Sequence, residues 1–367
     1  MISAKKIQDT KIVVAMSGGV DSSVVACMLH EAGYQVIGIT LQLYDVGEVL
    51  KKKNACCAGV DIADAKKVAL KAGFPHYVLN YENNFRQSVI DEFADSYLRG
   101  ETPIPCVKCN QSVKFRDLMK VAQDLGADAM ATGHYVQKIV SDNCAQLHKA
   151  FDANKDQSYF LFATTQAQLD FLHFPLGGFS KEYTRKLAEK YGLEVANKPD
   201  SQDICFVPNG DYAKVISNIR PTAFRPGDII HLGTNEILGQ HNGIINFTLG
   251  QRRGLGISYA HPLFVVKLDA QKNIVYVGEE EFLQNTKFMI NQLNWLAQDY
   301  KVGDKIFAKV RLRSNHEEQD AAIEFCDNNS AEVTMKIPTR AITPGQACVV
   351  YDGTRVLGGG WITSVKN

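Results

Sequence analysis

The sequence predicts a parallel α/β domain followed by two small β domains, the last of them a β-barrel. Three observations predict this. Up to about residue 210, β-branched runs alternate with amphipathic helices, the pattern of a parallel sheet covered on both faces. From Pro226-Gly227 onward, turn pairs break the chain into short β-rich runs. The 367 residues exceed what one hydrophobic core supports, so two or three domains are expected.

In chain order, Lys11–Met16 reads as a buried strand, Ser22–Ala32 as a helix closed by Gly33, and Tyr34–Leu41 as a second strand. A helix over Asp61–Ala72, a strand over His76–Asn80 and a long helix over Asn84–Arg99 follow. Lys114–Leu125 adds a helix and Ala129–Thr132 a strand. The helix Lys181–Tyr191, capped by Ser180 and stopped by Gly192, ends the alternation. Strands are then expected at Ile244–Leu249, Phe264–Leu268, Ile274–Gly278, Ile306–Leu312, Ala321–Cys326, Glu332–Ile337, Ala347–Tyr351 and Trp361–Val365. Hairpin turns are expected at Asp269–Asn273 and Asp327–Ser330. The best boundaries fall near 212–222 and 282–292, giving parts 1–212, 213–284 and 285–367.

Composition narrows the function classes. Hydrophobic residues make up 45% and charged residues 22%, ordinary for a globular chain. No apolar run approaches the ~20 residues that span a bilayer, and Met1–Lys6 has no apolar signal core, so a cytoplasmic protein with no membrane partner is expected. Forty basic and forty acidic residues cancel, which argues against indiscriminate nucleic-acid binding but permits a local basic surface. Nine cysteines are an odd count for a disulfide framework and point to thiol chemistry, metal ligation or burial.

Between the first strand and first helix lies Ser17-Gly18-Gly19-Val20-Asp21-Ser22-Ser23. Two glycines and flanking serines at a helix start let N–H groups and hydroxyls close around a phosphate. Asp21 is unusual there, because a carboxylate repels polyphosphate unless it holds Mg²⁺ or a structural donor. The loop lacks both the Walker lysine and the GxGxxG pattern. The string resembles the signature loop of the ATP pyrophosphatases, which cleave ATP between its α and β phosphates and adenylylate a carbonyl-type oxygen.

Pro105-Cys106-Val107-Lys108-Cys109-Asn110 precedes the Lys114–Leu125 helix, and Cys205 follows in the polar run Asp200–Phe206. A CxxC with a lysine between its thiols favours thiolate. A zinc site would need a fourth ligand, such as Cys56-Cys57 or a histidine; plain burial is the alternative, and sulfur transfer or cluster chemistry is the third reading. Among smaller features, Arg252-Arg253 reads as a solvated turn and Lys51–Lys53 as a solvated loop. Tyr159 and Phe160 read as core in a strand-like run. Cys27, Cys144, Cys326 and Cys348 read as small buried hydrophobes.

Eight strings carry a closer resemblance: SGGVDSS at 17–23, CNQSVKF at 109–115, ATGHY at 131–135, NKDQSYFL at 154–161, DSQDICF at 200–206, TLGQRRGLGI at 248–257, ITPGQACV at 342–349 and LGGG at 357–360. Together they resemble the bacterial tRNA-uridine 2-sulfurtransferase family over essentially the whole chain. The resemblance implies ATP-dependent 2-thiolation of the wobble uridine of tRNA, with Mg²⁺ neutralising the phosphates. It implies that Cys109 is the nucleophile and that Cys205 carries a persulfide. Ala15, Met16, Ser17, Gly18, Gly19, Val20, Asp21, Ser22, Leu41 and Gly133 would then line the ATP site. His134, Lys155, Asp156, Gln157, Arg311, Leu312 and Gln346 would contact tRNA. The implied partners are tRNAs for Lys, Glu and Gln and a persulfide donor such as a cysteine desulfurase or sulfur-relay protein.

One position departs from the family pattern. Better-known members carry Asp where this chain has Cys106, and that Asp is assigned acid–base and orienting work. A third thiol makes Cys106, Cys109 and Cys205 candidate ligands of a 4Fe-4S cluster with one iron left open, as in related thiolases. An amide-forming ligase of the same superfamily would need no such thiols. A nucleotide sensor without turnover would not need them either.

Overall fold

The computed structural model describes residues 5–44, 57–199, 204–207, 210–297 and 299–366. Lys51–Lys53 and Cys56 lie outside them. The chain divides into two compact units. The first holds residues 1–89, 106–208 and 353–356, and the second holds 90–105, 209–352 and 357–367. The return of 90–105 to the second unit has no signal in the local sequence pattern.

The first unit begins with strand β1 (Lys11–Ala15), helix α1 (Val20–Glu31), strand β2 (Gln35–Gln42), helix α2 (Cys57–Ala72) and strand β3 (His76–Asn80). Helix α3 runs through Glu82–Phe85, a π-helical turn Arg86–Asp91, and Glu92–Leu98. Helix α4 runs through Pro105–Lys108, a π-helical stretch Cys109–Leu118, and Met119–Asp124. Strands β4 (Ala129–Thr132), β5 (Val136–Ser141) and β6 (Cys144–Lys149) follow. Short helices α5 (Ser158–Leu161) and α6 (Gln166–Phe171) lead to β7 (Leu172–His173) and helix α7 (Lys181–Lys190).

Five strands form one parallel sheet in the order β3-β2-β1-β4-β7. The run Ile12-Val13-Val14 is wholly buried because helices cover both faces, and Val24 and Val25 of α1 are buried with it. Strand order reverses between β1 and β4. The crevice beyond their carboxyl ends is where open α/β sheets bind ligands, and the 16–19 loop and the 133–135 turn open there.

In the second unit, helix α8 (Tyr212–Ile219) is tied to residues 91–97, the part of α3 that belongs to this unit, where Arg220 pairs with Asp91 at 3.0 Å and Asp95 at 2.9 Å and Tyr97 stacks on Tyr212. Strands β8 (Gly227–His231), β9 (Ile237–His241), β10 (Phe264–Asp269) and β11 (Ile274–Gly278) form a small sheet. Strands β12 (Gln284–Trp295), β13 (Lys305–Arg311), β14 (Gln319–Phe325), β15 (Ser330–Arg340), β16 (Ala347–Asp352) and β17 (Arg355–Lys366) close into a six-stranded barrel through the β12–β17 pairing. Its interior holds Phe288, Ile323, Phe325, Val333 and Val350. Among the described residues no helix is long and apolar enough to cross a membrane.

Several expectations are corrected. The run at 244–249 holds a 3-10 turn at Ile244–Asn246 instead of a strand. Its apolar residues are buried in either form, and short apolar runs do not distinguish the two. Tyr159 is core as expected, but on helix α5 and not on a strand. Cys27 and Cys348 are buried, whereas Cys144 is half-buried and Cys326 is exposed, because each of those two sits beside a hairpin turn. Hairpin β5–β6 was not anticipated, although Asp142 and Asn143, both at positive φ, make its two-residue turn.

The helix carrying the CxxC starts earlier than the pattern suggests. Pro105 occupies a first helical position, where its missing N–H costs nothing. Cys106 and Cys109 are therefore held on α4 itself and not in a loop before it.

Candidate active site

The loop after β1 is shaped by its glycines and serines. Gly18 has φ +75°, and a Cβ there would lie 2.1 Å from the carbonyl oxygen of Asp61, so only glycine lets the loop rest on α2. Ser22 Oγ accepts from the Ser17 backbone N–H at 3.1 Å, and Ser23 Oγ donates to Gly19 O at 2.8 Å. Helix α1 begins at Val20 without a side-chain cap, so its first N–H groups face the loop and favour an anion. On the neighbouring strand end, a Cβ at Gly133 would sit 2.8 Å from Ser22 N. The 133–135 turn therefore closes one wall of the loop. Leu41 lies near the carboxyl end of β2 and is half-buried.

Asp21 has the structural donor that its place beside a phosphate site requires. Lys181 Nζ lies 2.7 and 2.8 Å from its two carboxylate oxygens, and Tyr135 Oη donates to Oδ1 at 2.8 Å. The Lys181 side chain is only 10% exposed. A second cation, Lys198, donates to Gly18 O at 3.2 Å, Asp61 Oδ1 at 2.7 Å and Asp64 Oδ2 at 2.8 Å. Two lysines distant in sequence, neither of them singled out by motif, thus brace the loop through Asp21 and through Gly18 O. A signal did exist for Lys181. It is the first residue of α7, where a cation opposes the helix dipole unless an anion faces it.

The thiols gather in the same unit. Cys106 is exposed, Cys109 is buried, and Cys205 is exposed, with its backbone oxygen accepting from Tyr44 Oη at 2.8 Å. Phe206 packs edge-on against Phe85, which stacks on Tyr44. Protein mass around each thiol raises all three. Cys205 is pushed up to about 12 by desolvation and then by the thiols of Cys109 and Cys106. Cys109 is raised by burial and then, more weakly, by Cys106. One cation, Lys114, acts on all three in the opposite sense. In an α-helix Lys114 would point roughly 140° away from Cys109. The π-helical register closes i to i+5 and returns it to the Cys109 side. Among the described residues no carboxylate pairs with Lys114.

Lys114→Met is therefore expected to move alkylation of Cys106 and Cys205 by iodoacetamide to higher pH. The positive charge favours thiolate, so its loss raises the thiols further. Peptide mass spectrometry across a pH series checks this, and superimposable profiles would remove Lys114 from the thiol environment.

Among the described residues no three His, Cys, Asp or Glu side chains come together as a metal site. The three thiols do not form a cluster cage as they stand.

His134 Nδ1 lies 2.9 Å from Thr132 Oγ1, and its ring meets Phe115 of α4 edge-on at 5.8 Å. Desolvation, then Lys114, push it down to about 3, so it is a neutral imidazole at physiological pH. Asp156 caps its own turn, accepting from the N–H groups of Ala150 and Ser158 and from Ser158 Oγ. Gln157 and Tyr135 hold each other, with Tyr135 N–H donating to Gln157 Oε1 at 2.8 Å and Gln157 N–H donating to Tyr135 O at 3.0 Å. Lys155 is half-buried at the end of a 3-10 turn.

In the second unit, Arg311 pairs with Glu318 at 2.9 Å and lies over the Tyr351 ring. Leu312 is buried, and Gln346 Nε2 donates to Thr102 O at 2.8 Å. Arg252 and Arg253 are exposed.

Three family models match in succession, described as a tRNA methyl transferase HUP domain over residues 10–209, a tRNA methyl transferase PRC-barrel domain over 214–279, and an aminomethyltransferase beta-barrel domain over 285–362. The protein named tRNA-specific 2-thiouridylase MnmA from Rickettsia conorii (strain ATCC VR-613 / Malish 7) is 61% identical over 363 residues, 99% of this chain and 98% of its own. Its namesake from Rickettsia bellii (strain OSU 85-389) matches at the same identity and coverage. A solved U34-tRNA thiolase NcsA from Methanococcus maripaludis, with its 4Fe-4S cluster, is similar at TM-score 0.35 and 18% identity over 58% of this chain and 71% of that one. That likeness is too loose to carry residue roles across. The identity to the two Rickettsia proteins covers 99% of this chain, and the chain belongs to the tRNA-specific 2-thiouridylase family.

Proposed function

We propose that this chain is a tRNA sulfurtransferase that uses ATP to convert the wobble uridine, position 34, into 2-thiouridine. One observation carries the reading. The three thiols and the phosphate loop lie in one unit, bridged by the 132–135 turn, in which Gly133 touches the α1 start and His134 touches α4. Activation and sulfur delivery can therefore act on one bound base.

Replacing a carbonyl oxygen by sulfur requires making that oxygen a leaving group. Oxygen 2 of the uracil attacks the α-phosphorus of ATP and pyrophosphate departs. The α1 N–H groups and loop hydroxyls hold the phosphates, aimed where charge builds up. Mg²⁺ is expected to travel with those phosphates, as it commonly does, since Asp21 is already engaged by Lys181.

The outer sulfur of a Cys205 persulfide then attacks carbon 2 and AMP leaves. Cys109 thiolate attacks the Cys205 sulfur, breaking the S–S bond to the new thio-base. This releases 2-thiouridine and leaves a Cys109–Cys205 disulfide. An external thiol reductant must reopen that disulfide, and a persulfide donor such as a cysteine desulfurase or sulfur-relay protein must reload Cys205. No step is assigned to a cluster. Lys114, which acts on all three thiols, is assigned to steady the anionic sulfur.

The wobble base must be unstacked, which is cheap in an anticodon loop. We assign residues 1–212 to ATP and sulfur chemistry, 213–284 to a central small β domain and 285–367 to a tRNA-binding barrel. Arg311, Leu312 and Gln346 are assigned to the barrel's tRNA contacts. The breaks at 209/214 and 279/285 between the matched family models support that division. Substrates would be the Lys, Glu and Gln tRNAs, in the cytoplasm. Incubation with ATP, Mg²⁺, a persulfide donor and unmodified tRNA, followed by nucleoside mass spectrometry, should yield ATP-dependent 2-thiouridine. Its absence, or a different thiolated nucleoside, would overturn the assignment.

A further inference from the structure

Tyr135 is almost fully buried, at 3% exposure, and its polar groups face two different parts of the proposed site. Its hydroxyl lies 2.8 Å from Asp21 Oδ1 and 2.9 Å from Thr184 Oγ1. A phenol has one proton, and a carboxylate can only accept. The stronger bond therefore runs to Asp21, in the first turn of the phosphate-loop helix. The Lys181 ammonium that pairs with Asp21 also lies over the Tyr135 ring, 5.7 Å from its centroid. At the other end of the residue, the backbone N–H and carbonyl of Tyr135 are both taken by Gln157, the former by its side chain and the latter by its backbone N–H. Gln157 closes the 155–157 segment for which the family resemblance implies tRNA contact.

A single residue thus spans the two segments, its backbone held by Gln157 and its hydroxyl by Asp21. A shift of the 155–157 segment pulls on the Tyr135 backbone, and the hydroxyl carries that shift to Asp21. A shift of Asp21 when polyphosphate enters the loop is transmitted in the reverse sense. We infer that Tyr135 is a positioning residue that couples ATP binding to tRNA binding, so that each ligand tightens the site for the other. The inference rests on the proposed function. It adds what neither the loop motif nor the family resemblance assigns, a residue touching neither ligand that makes nucleotide activation depend on tRNA.

Coupling between two sites is reciprocal and is read as a ratio of dissociation constants. The test uses the full chain, α,β-methylene ATP as an uncleavable nucleotide, and an unmodified tRNA transcript. Nucleotide affinity is measured with and without saturating tRNA, and tRNA affinity with and without saturating nucleotide. The wild-type protein is expected to give the same ratio both ways, about fivefold or more. Tyr135→Phe keeps the ring and removes the hydroxyl, and its ratio should fall to within about twofold of one. A merely structural role would weaken both binary affinities and leave the ratio intact.

Thr184→Val removes the hydroxyl's other neighbour and should keep the wild-type ratio. A Tyr135→Phe ratio equal to wild type, or a ratio lost equally in Thr184→Val, would overturn the coupling role. So would a wild-type protein that binds both ligands with a ratio of one. Failure of the wild type to bind either ligand would instead overturn the function on which the inference rests.

Discussion

Asp21→Ala is expected to lower tRNA-dependent pyrophosphate release by about a hundredfold or more and also to destabilise the protein. The loss of activity follows from the place of Asp21 in the first turn of α1, where it holds Lys181 and Tyr135 around the phosphate loop. The loop motif by itself suggests that removing this carboxylate would leave the fold intact, and the ion pair corrects that. With Asp21 gone, Lys181 becomes a cation at a site where its side chain is 10% exposed. Breaking a fully buried pair costs ~3–5 kcal/mol. The 31% exposure of the Asp21 side chain brings the expected cost down to about 2 kcal/mol. Asp21→Ala/Lys181→Met should recover most of the melting temperature but not the activity. A double variant that regained pyrophosphate release would show that Asp21 matters only as a partner for the lysine.

The second large effect separates the two half-reactions. Cys109→Ala and Cys205→Ala should each reduce 2-thiouridine formation by on the order of a thousandfold or more, as loss of a nucleophile does. Pyrophosphate release should survive, because neither thiol touches the phosphate loop. Cys106→Asp supplies the acid that the family resemblance implies at this position and should retain thiolation in iron-free protein. Wild-type protein that forms 2-thiouridine only when loaded with iron would return all three cysteines to a ligand role. Loss of pyrophosphate release in Cys205→Ala would mean that activation and sulfur delivery are not separable steps.

Much of this site was legible in the residues. The Ser17–Ser23 string specifies its own geometry, because only glycine tolerates the contact between position 18 and the Asp61 carbonyl. The strand–helix alternation yields the parallel sheet, since β-branched runs buried on both faces leave few other arrangements. What stayed hidden depends on long-range pairing or on helical register. Lys181 and Lys198 meet the loop from 160 and 180 residues away, and a lysine at a helix start or in a loop looks solvated when read locally. Lys114 belongs on the far side of an α-helix from Cys109, and only the π-helical stretch brings it back. The short hairpin β5–β6 is hard to read locally because Val136–Ser141 (VQKIVS) lacks a strict apolar–polar alternation.

The most direct test of the central claim is a single turnover with labelled sulfur. Iron-free protein would be loaded with ³⁵S persulfide on Cys205, freed of donor, and mixed with unmodified tRNA and Mg²⁺ with or without ATP. The account predicts that label passes to 2-thiouridine only with ATP, in step with pyrophosphate release, leaving a Cys109–Cys205 disulfide. Label that stays on the protein in the presence of ATP, or moves to tRNA in its absence, would contradict it.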